Sequence, residues 1–313
     1  MAVLPLFGLA GRASDGHLVA NPDPSLARPA NEAFADAVER IARFRDKPVV
    51  VKLGGSAMED PAATDACLRS VATLQRLGVQ VVLVHGGGKA IDRAMAEVGL
   101  VPKKVAGRRY TDEATLEIVV RVLGQINSDI VKKLNALGCR AATQENRPYY
   151  PLRGEPLLLS GLGSQPLDLG RVGKVTTVGV GNINVVFELG LVPVIPSLAL
   201  DAEGKWLNIN ADTAASAVAG ALQAEKAIFL TDTPGVLRDR HDPASLLPKL
   251  TEQECRALIA SGVIDSGMVP KVEACFEALE AGAKTALILD GRVPFSLLDA
   301  FLNDTFTGTE ITK

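Results

Sequence analysis

The sequence predicts an α/β fold with a mainly parallel sheet, and three observations support this prediction. Two short apolar runs, residues 49–51 and 81–84, are rich in valine and lead into glycine-rich turns, as is typical of buried parallel strands. A helical pattern follows each run, which gives the strand–helix order of a right-handed parallel sheet. The chain has 313 residues, of which 47% are hydrophobic, enough for one large α/β domain or two lobes.

The spacing of apolar residues and the positions of glycine and proline define the other elements. We predict helices at residues 31–45, 61–77, 89–98, 112–137, 211–222, 251–260 and 270–281. The predicted strands include residues 79–84, 192–195, 227–230 and 285–289. Pro193 favours an edge position for its strand. Frequent glycine and proline in residues 143–186 indicate hairpins and loops rather than helix.

Composition and charge exclude several classes of protein. The net charge of −3 provides no basic footprint for nucleic acid, and no apolar run approaches the roughly 20 residues that span a bilayer. The four cysteines and three histidines are scattered without the spacing of metal ligands. The apolar start of the chain lacks the basic segment of a secretory signal. We therefore expect a cytoplasmic protein with reduced thiols and no metal site of its own, which binds neither membrane nor nucleic acid.

The two glycine-rich turns predict a binding site for phosphate. They read Lys52-Leu53-Gly54-Gly55 and His85-Gly86-Gly87-Gly88, and glycine lets backbone N–H groups approach an anion closely. Ala90 stands where a P-loop has serine or threonine, and Ile91 stands where a dinucleotide-binding fingerprint has its third glycine. The turns therefore belong to neither of these nucleotide-binding motifs.

Three further segments carry polar residues at the ends of predicted elements. Arg109 precedes the cap of a long predicted helix and suits bidentate binding of a carboxylate. Asn208 and Asp212 lie in a polar segment that leads into another helix, and an ordinary helix cap also explains that pattern. Lys271 lies in the first turn of a helix, where the dipole disfavours a cation unless it neutralises a bound anion.

Six motifs in one order give the chain a specific resemblance. They are Lys-x-Gly-Gly, His-Gly-Gly-Gly, Gly-Arg-Arg-Tyr-Thr-Asp, Asn-Ile-Asn-Ala-Asp, Thr-Asp-x-x-Gly-Val-Leu and Gly-Met-x-Pro-Lys-Val. Over roughly residues 48–292 the chain resembles the N-acetyl-L-glutamate kinases of the amino-acid kinase superfamily. The resemblance implies a three-layer αβα sandwich with an open central sheet. It also implies an amino-acid-binding N-terminal lobe at residues 47–222 and an ATP-binding C-terminal lobe at residues 223–313. Before these lobes we expect a flexible tail at residues 1–30 and a helix within residues 31–46, a candidate oligomerisation element.

The same resemblance implies a reaction and a set of site residues. ATP, with Mg²⁺ carried by the nucleotide, would phosphorylate the side-chain carboxylate of N-acetyl-L-glutamate in arginine biosynthesis. Lys52 and Lys271 would be catalytic, and Asp212 would orient both lysines. The residues implied to bind the amino-acid substrate are Gly87, Gly88, Arg109 and Asn208. The residues implied to bind the nucleotide are Gly54, Gly55, Asp232, Thr233, Pro234, Gly235, Val236, Leu237, Val263, Ile264 and Asp265.

Two departures from the family pattern leave alternatives open. Residues 160–164 read Ser-Gly-Leu-Gly-Ser and lack the charges usual in that hairpin. Kinases of N-succinylglutamate or N-acetyl-aminoadipate therefore stay open, as does a non-catalytic arginine-sensing homologue. The N-terminal helix resembles the element that joins dimers into an arginine-inhibited hexamer, but Phe295 replaces a common histidine. We expect a homo-oligomer, either a hexamer formed as a trimer of dimers or a dimer, with L-arginine as a candidate allosteric ligand.

Overall fold

A computed structural model describes residues 30–105, 107–144, 149–158, 167–265, 267–303 and 306–313. Within it, Ala37–Lys313 forms one compact unit, and only the last part of the preceding unit, Met1–Asp36, is described. The predicted tail up to residue 29 and the 160–164 segment lie outside the described residues. The division into two lobes at residues 222 and 223 stays a prediction.

Ten helices and fourteen strands are described. The helices are α1 (Ala30–Ala42), α2 (Gly55–Glu59), α3 (Pro61–Arg76), α4 (Gly88–Glu97), α5 (Glu113–Ala136), α6 (Val180–Glu188), α7 (Ala211–Ala221), α8 (Glu252–Ala260), α9 (Val269–Ala281) and α10 (Ser296–Leu302). The strands are β1 (Pro48–Leu53), β2 (Gln80–His85), β3 (Lys104–Val105), β4 (Arg108–Arg109), β5 (Ala141–Thr143), β6 (Leu152–Pro156), β7 (Val172–Val178), β8 (Val192–Pro196), β9 (Leu198–Leu200), β10 (Trp206–Ile209), β11 (Lys226–Thr231), β12 (Lys249–Thr251), β13 (Ala286–Asp290) and β14 (Gly308–Thr312). Among the described residues, no helix combines the length and apolar character needed to cross a membrane.

Eight strands form the central sheet, in the order β12-β14-β13-β11-β1-β2-β8-β5. Every neighbouring pair is parallel except β13 and β14. The open, mainly parallel sheet confirms the predicted α/β class. Because β1, β2, β8, β11 and β13 run in the same direction, the turns that follow them lie along one edge of the sheet.

Helices cover both faces of the sheet, as the alternation of side chains along β1 shows. Val49, Val51 and Leu53 belong to a core cluster with residues of α3 and α10, whereas Val50 belongs to a second cluster with residues of α7 and α9. Successive side chains of a strand point to opposite faces, so the two clusters lie on opposite sides of the sheet. This arrangement is the predicted three-layer sandwich.

Two smaller sheets complete the compact unit. β6, β7, β9 and β10 form a four-stranded sheet that closes on itself, and β3 pairs with β4 in an antiparallel hairpin. These sheets present Asn208 on β10 and Arg109 on β4, both of which the sequence nominates for substrate binding.

Two predictions about local structure were wrong. Residues 143–186 were expected to form hairpins and loops rather than helix, but α6 begins at Val180, because Ile183 and Val186 are buried one turn apart. Pro193 was expected at an edge, but β8 lies between β2 and β5. The register between β8 and β2 begins at Val194, one residue after the proline, so its missing N–H falls outside that ladder.

Candidate active site

The turns that carry the predicted site residues lie along the carboxyl edge of the parallel strands. Gly54 follows β1, Gly86 follows β2 and Asp232 follows β11. Open α/β sheets bind ligands at this edge. The fold thus brings motifs that are far apart in the sequence to one side of the sheet.

Lys52 and Asp212 form an ion pair at this edge. Lys52 Nζ lies 2.9 Å from Asp212 Oδ1, and the lysine side chain is only 12% exposed. Asp212 occupies the first turn of α7, where the helix dipole favours a negative charge. Asn210 caps the same helix and accepts a hydrogen bond from the Asp212 N–H at 2.8 Å. The contact expected between Lys52 and Asp212 is therefore present, and Asn210 also acts as an ordinary helix cap.

Gly54 leaves the space that the Lys52 ammonium group occupies. A Cβ atom built on Gly54 would lie 2.3 Å from Lys52 Nζ and 3.3 Å from the Leu230 carbonyl oxygen. The lysine side chain therefore folds back over the backbone that follows its own strand. Any side chain at position 54 would push the ammonium group away from this place.

Lys271 forms an ion pair with another carboxylate. Its Nζ lies 3.3 Å from Asp232 Oδ1, and Lys271 in α9 and Asp232 after β11 line the same cavity. That Asp212 orients both lysines stays a prediction. Burial opposes ionisation of Asp232, but the Lys271 ammonium, a backbone hydrogen bond and the Arg292 charge together keep the pKa of Asp232 below its ordinary value.

A cavity of about 360 Å³ lies beyond the end of β11, and we call it the β11 cavity. Nine of the predicted nucleotide-binding residues line it: Asp232, Thr233, Pro234, Gly235, Val236, Leu237, Val263, Ile264 and Asp265. Lys271 and Arg240 also line it, and the sequence did not point to Arg240. Gly54 is not among the described residues of its wall.

A second cavity, of about 190 Å³, lies beyond the end of β2, and we call it the β2 cavity. It brings together all four predicted substrate-binding residues, Gly87, Gly88, Arg109 and Asn208. A short chain of hydrogen bonds joins two of them, since Asn208 Nδ2 donates to Thr111 Oγ1 at 3.1 Å and this hydroxyl donates to the Arg109 carbonyl at 2.9 Å. Residues from different motifs are thus held in one place.

Arg109 is held by a residue that the sequence did not reveal. Its Nη1 lies 2.5 Å from Asp92 Oδ1 and its Nη2 donates to the Gly88 carbonyl at 3.1 Å. The Arg109 side chain is 10% exposed, and a guanidinium group so buried requires an acidic partner. Asp92 lies one helical turn after Gly88 in α4. This spacing from the glycine-rich turn is the sequence feature that could have indicated its role.

The turn after β2 is supported from below by α5. A Cβ atom on Gly87 would lie 2.9 Å from both Ile126 Cδ1 and Leu123 Cδ2, whereas one on Gly88 would meet nothing within 4 Å. Packing against α5 therefore accounts for Gly87. No such packing accounts for Gly88, which faces open space beside the β2 cavity.

His85 fixes the start of the same turn. It is fully buried, its Nε2 accepts from Asn127 Nδ2 at 3.1 Å, and its Nδ1 donates to the Gly86 carbonyl at 3.1 Å. Asn127 Nδ2 also donates to the Val194 carbonyl at 3.0 Å. Burial lowers the pKa of His85 to about 4, against a smaller opposing effect of the Gly86 hydrogen bond. The ring is therefore neutral near pH 7 and acts as a fixed support.

The described residues contain no group of three or more histidine, cysteine, aspartate or glutamate side chains that could hold a metal ion. Asp212 and Asp232 are each paired with a lysine. This donor set suits a metal that arrives bound to phosphate oxygens more than one held by the protein alone.

A parallel α/β sheet with two cavities and paired lysines at its carboxyl edge has the layout of a small-molecule kinase. The chain belongs to the amino acid kinase family, whose family model matches residues 47–290.

The chain is also similar to individual proteins that carry a name. Acetylglutamate kinase of Trichodesmium erythraeum (strain IMS101) is 38% identical over 281 residues, which cover 90% of this chain and 94% of the relative. Acetylglutamate kinase of Synechococcus sp. (strain RCC307) is 43% identical, with 90% and 93% covered. Among solved structures, N-acetylglutamate synthase from Neisseria gonorrhoeae complexed with coenzyme A and N-acetyl-glutamate has a TM-score of 0.80 at 25% identity. That match covers 91% of this chain, which spans only 64% of the synthase chain.

Proposed function

We propose that this protein transfers the γ-phosphoryl group of ATP to the side-chain carboxylate of N-acetyl-L-glutamate, a step of arginine biosynthesis. The observation that carries the proposal is the Lys52–Asp212 ion pair at the carboxyl edge of the sheet. The β2 cavity adjoins this pair through Ala211, and the β11 cavity contains the second lysine, Lys271. The full-length similarity to acetylglutamate kinases supports the choice of acceptor.

The chemistry requires no general base. A glutamate-type carboxyl has a pKa of about 4.3 and is already ionised at neutral pH. The main obstacle is repulsion between this carboxylate and the phosphate, roughly 4 kcal/mol for two unit charges about 4 Å apart at an effective dielectric constant of 20. Positioning and charge neutralisation by Lys52 and Lys271 are therefore the main tasks of the site.

On the donor side, the β11 cavity would hold ATP. Lys271 would exchange its contact with Asp232 for the phosphates, and the backbone of Gly54 and Gly55 would lie near the transferring group. Mg²⁺, carried by the nucleotide, supplies positive charge to the phosphate oxygens. Lys52, held by Asp212, would stabilise the charge that develops on the transferring phosphoryl group.

On the acceptor side, the β2 cavity would hold N-acetyl-L-glutamate. Arg109 would bind the α-carboxylate and Asn208 the acetamido end, while the N–H groups of Gly87 and Gly88 would face the reacting carboxylate. Asp92 keeps the guanidinium group in place before the substrate arrives. Preorganisation of this kind lowers the cost of binding.

An assay of acyl-phosphate formation tests the proposal. The purified chain is incubated with MgATP and each candidate acceptor, and hydroxylamine traps the product. The panel contains N-acetyl-L-glutamate, N-succinylglutamate, N-acetyl-aminoadipate, glutamate and aspartate. We expect the highest kcat/KM with N-acetyl-L-glutamate. A higher kcat/KM with another acceptor would identify that acceptor as the substrate instead. No turnover with any acceptor would favour a non-catalytic, arginine-sensing role.

We also propose that the chain forms a homo-oligomer and that L-arginine inhibits it. Resemblance of the N-terminal helix to that of arginine-inhibited hexamers supports both parts, and Phe295 in place of histidine counts against the second. Size-exclusion chromatography with light scattering distinguishes a hexamer from a dimer. A titration of L-arginine in the acyl-phosphate assay tests inhibition, and a flat curve would contradict it.

A further inference from the structure

Thr309, near the end of the chain, connects the central sheet to the wall of the β11 cavity. It lies on β14, is fully buried, and is in register with Ile288 of β13. Its hydroxyl accepts a hydrogen bond from the Val236 N–H at 2.8 Å and donates one to the Leu247 carbonyl at 2.8 Å. One side chain thus satisfies two backbone groups from two different loop segments.

The same two segments are also joined directly. The Leu247 N–H donates to the Val236 carbonyl at 2.9 Å, and Leu237 forms an isolated bridge with Leu246. Val236 therefore has its N–H held by Thr309 and its carbonyl held by Leu247. Since Val236 and Leu237 line the β11 cavity, this network sets the position of part of the cavity wall.

Gly235 shows how closely the turn rests on Thr309. Its φ angle is +137°, a value that side-chain-bearing residues rarely adopt. A Cβ atom there would lie 2.6 Å from Thr309 Oγ1, 2.9 Å from Leu246 Cδ1 and 3.0 Å from the Thr309 backbone nitrogen. The turn at residues 234–236 therefore packs directly against β14 and has no room to move closer to it.

We propose that Thr309 is a positioning residue for nucleotide binding, acting through the backbone of Gly235 and Val236. Its hydroxyl holds the cavity wall in the geometry that accepts ATP, although Thr309 itself is not among the residues that line the cavity. This inference rests on the proposed assignment of the β11 cavity to the nucleotide. It gives a task to the Gly-Thr pair at residues 308 and 309, which the catalytic assignments leave without one.

The test removes the hydroxyl while keeping the shape of the side chain. Thr309→Val leaves the Val236 N–H and the Leu247 carbonyl without this partner, so we expect the KM for MgATP and the Kd for MgADP to rise about tenfold. The KM for N-acetyl-L-glutamate should stay within about twofold, because the β2 cavity contains neither segment. Thr309→Ser keeps the hydroxyl and should restore most of the nucleotide affinity.

Two further variants separate positioning from general stability. Ser70→Ala removes another fully buried hydroxyl, which donates to the Ala66 carbonyl in α3, and should leave both KM values unchanged. Thr309→Ala also removes the hydroxyl and should weaken MgADP binding in the same direction, which keeps the test decisive if Thr309→Val does not fold.

The outcomes distinguish this inference from the proposed function. Isothermal titration of MgADP to the wild-type chain comes first, and absence of binding would overturn the function and this inference together. Binding by the wild type with an unchanged Kd in Thr309→Val and Thr309→Ala would overturn the inference alone. A lower melting temperature of Thr309→Val with unchanged KM values would likewise show that Thr309 contributes only to the stability of the fold.

Discussion

The β11 cavity and the β2 cavity lie at the same edge of the sheet but are built differently. The β11 cavity takes its walls from two nearly continuous stretches, residues 232–240 and 263–271. The β2 cavity takes its walls from separate stretches that include residues 86–91, 107–109 and 208–211, together with Val172 and Ser197. A cavity of the first kind can be recognised from contiguous motifs, whereas one of the second kind exists only after the smaller sheets have formed.

The charged groups differ between the cavities in the same way. Lys271 and Asp232 are separated by 3.3 Å, and more than half of the Asp232 side chain is exposed, so water screens their interaction and a phosphate can replace it. Arg109 and Asp92 are separated by 2.5 Å, with Arg109 largely buried. The β11 cavity therefore has a lysine that is free to change partner, and the β2 cavity has an arginine fixed in advance.

Removal of Lys52 should have the largest effect, since we propose that this residue serves the transfer step rather than either cavity. In Lys52→Ala we expect kcat to fall about 10³-fold, because a preorganised charge at the transferring group is lost. Both KM values should change little. The matched control is Lys132→Ala, an exposed lysine on α5, which should retain wild-type kinetics. Wild-type turnover in Lys52→Ala would remove its catalytic assignment.

Gly54→Ala tests whether the position of the Lys52 ammonium group matters more than its charge. The added methyl would displace Nζ, and a displacement of about 1 Å can lower kcat by about 100-fold. Gly181→Ala, which meets nothing within 4 Å, is the control for a glycine change on its own. An unchanged kcat in Gly54→Ala, with the fold retained, would contradict the geometry assigned to Lys52.

Arg109→Ala tests whether the two cavities bind their ligands independently. We expect the KM for N-acetyl-L-glutamate to rise about 30-fold, the cost of losing a charged hydrogen-bonding partner, and the KM for MgATP to stay unchanged. Arg69→Ala removes an exposed arginine paired with Asp65 on α3 and should change neither value. Equal increases in both KM values would show that the cavities are not independent.

The neutral histidine below the β2 cavity predicts a pH dependence of stability. The pKa of His85 is about 4 in the folded chain and about 6.5 in the unfolded chain. Between these values the unfolded chain binds a proton that the folded chain does not, so stability falls as the pH decreases from about 6.5 to about 4. This histidine should lower the free energy of unfolding by about 2 kcal/mol between about pH 7 and about pH 5.

Urea unfolding at the two pH values measures this effect. His85→Gln lacks the titrating ring and should lose less stability on acidification, whereas His241→Gln changes an exposed residue and should behave like the wild type. The same loss in His85→Gln as in the wild type would show that other groups cause it.

The sequence predicted the sheet and the residues that line the two cavities better than it predicted the ion pairs between these residues. Apolar runs such as those of β1 and β11 are local signals, so these strands and the turns that follow them were recognisable from the sequence. The pairing of Lys52 with Asp212 was implied by the family resemblance. The partner of Lys271 was not, and neither was Asp92, because ion pairs depend on which elements face each other in the folded chain. The hydrogen bonds of Thr309 have no local signal, since they reach loops 73 and 62 residues away.

The wrong local predictions have a similar origin. Pro193 reads as an edge residue, yet the paired stretch with β2 starts one residue later. Glycines around α6 read as loop, yet burial of Ile183 and Val186 stabilises a helix there. In both cases tertiary context decided between conformations that the local sequence allowed.

The central claim is that ATP and the acyl amino acid occupy the β11 cavity and the β2 cavity, with Lys52 at the point of transfer. A crystal structure with a non-hydrolysable ATP analogue, Mg²⁺ and N-acetyl-L-glutamate tests it most directly. We predict the phosphates against Lys271 and Lys52 at hydrogen-bond distances of about 3 Å, and the α-carboxylate of the substrate on Arg109. An analogue bound outside the β11 cavity, or an amino acid bound away from Arg109, would contradict the account.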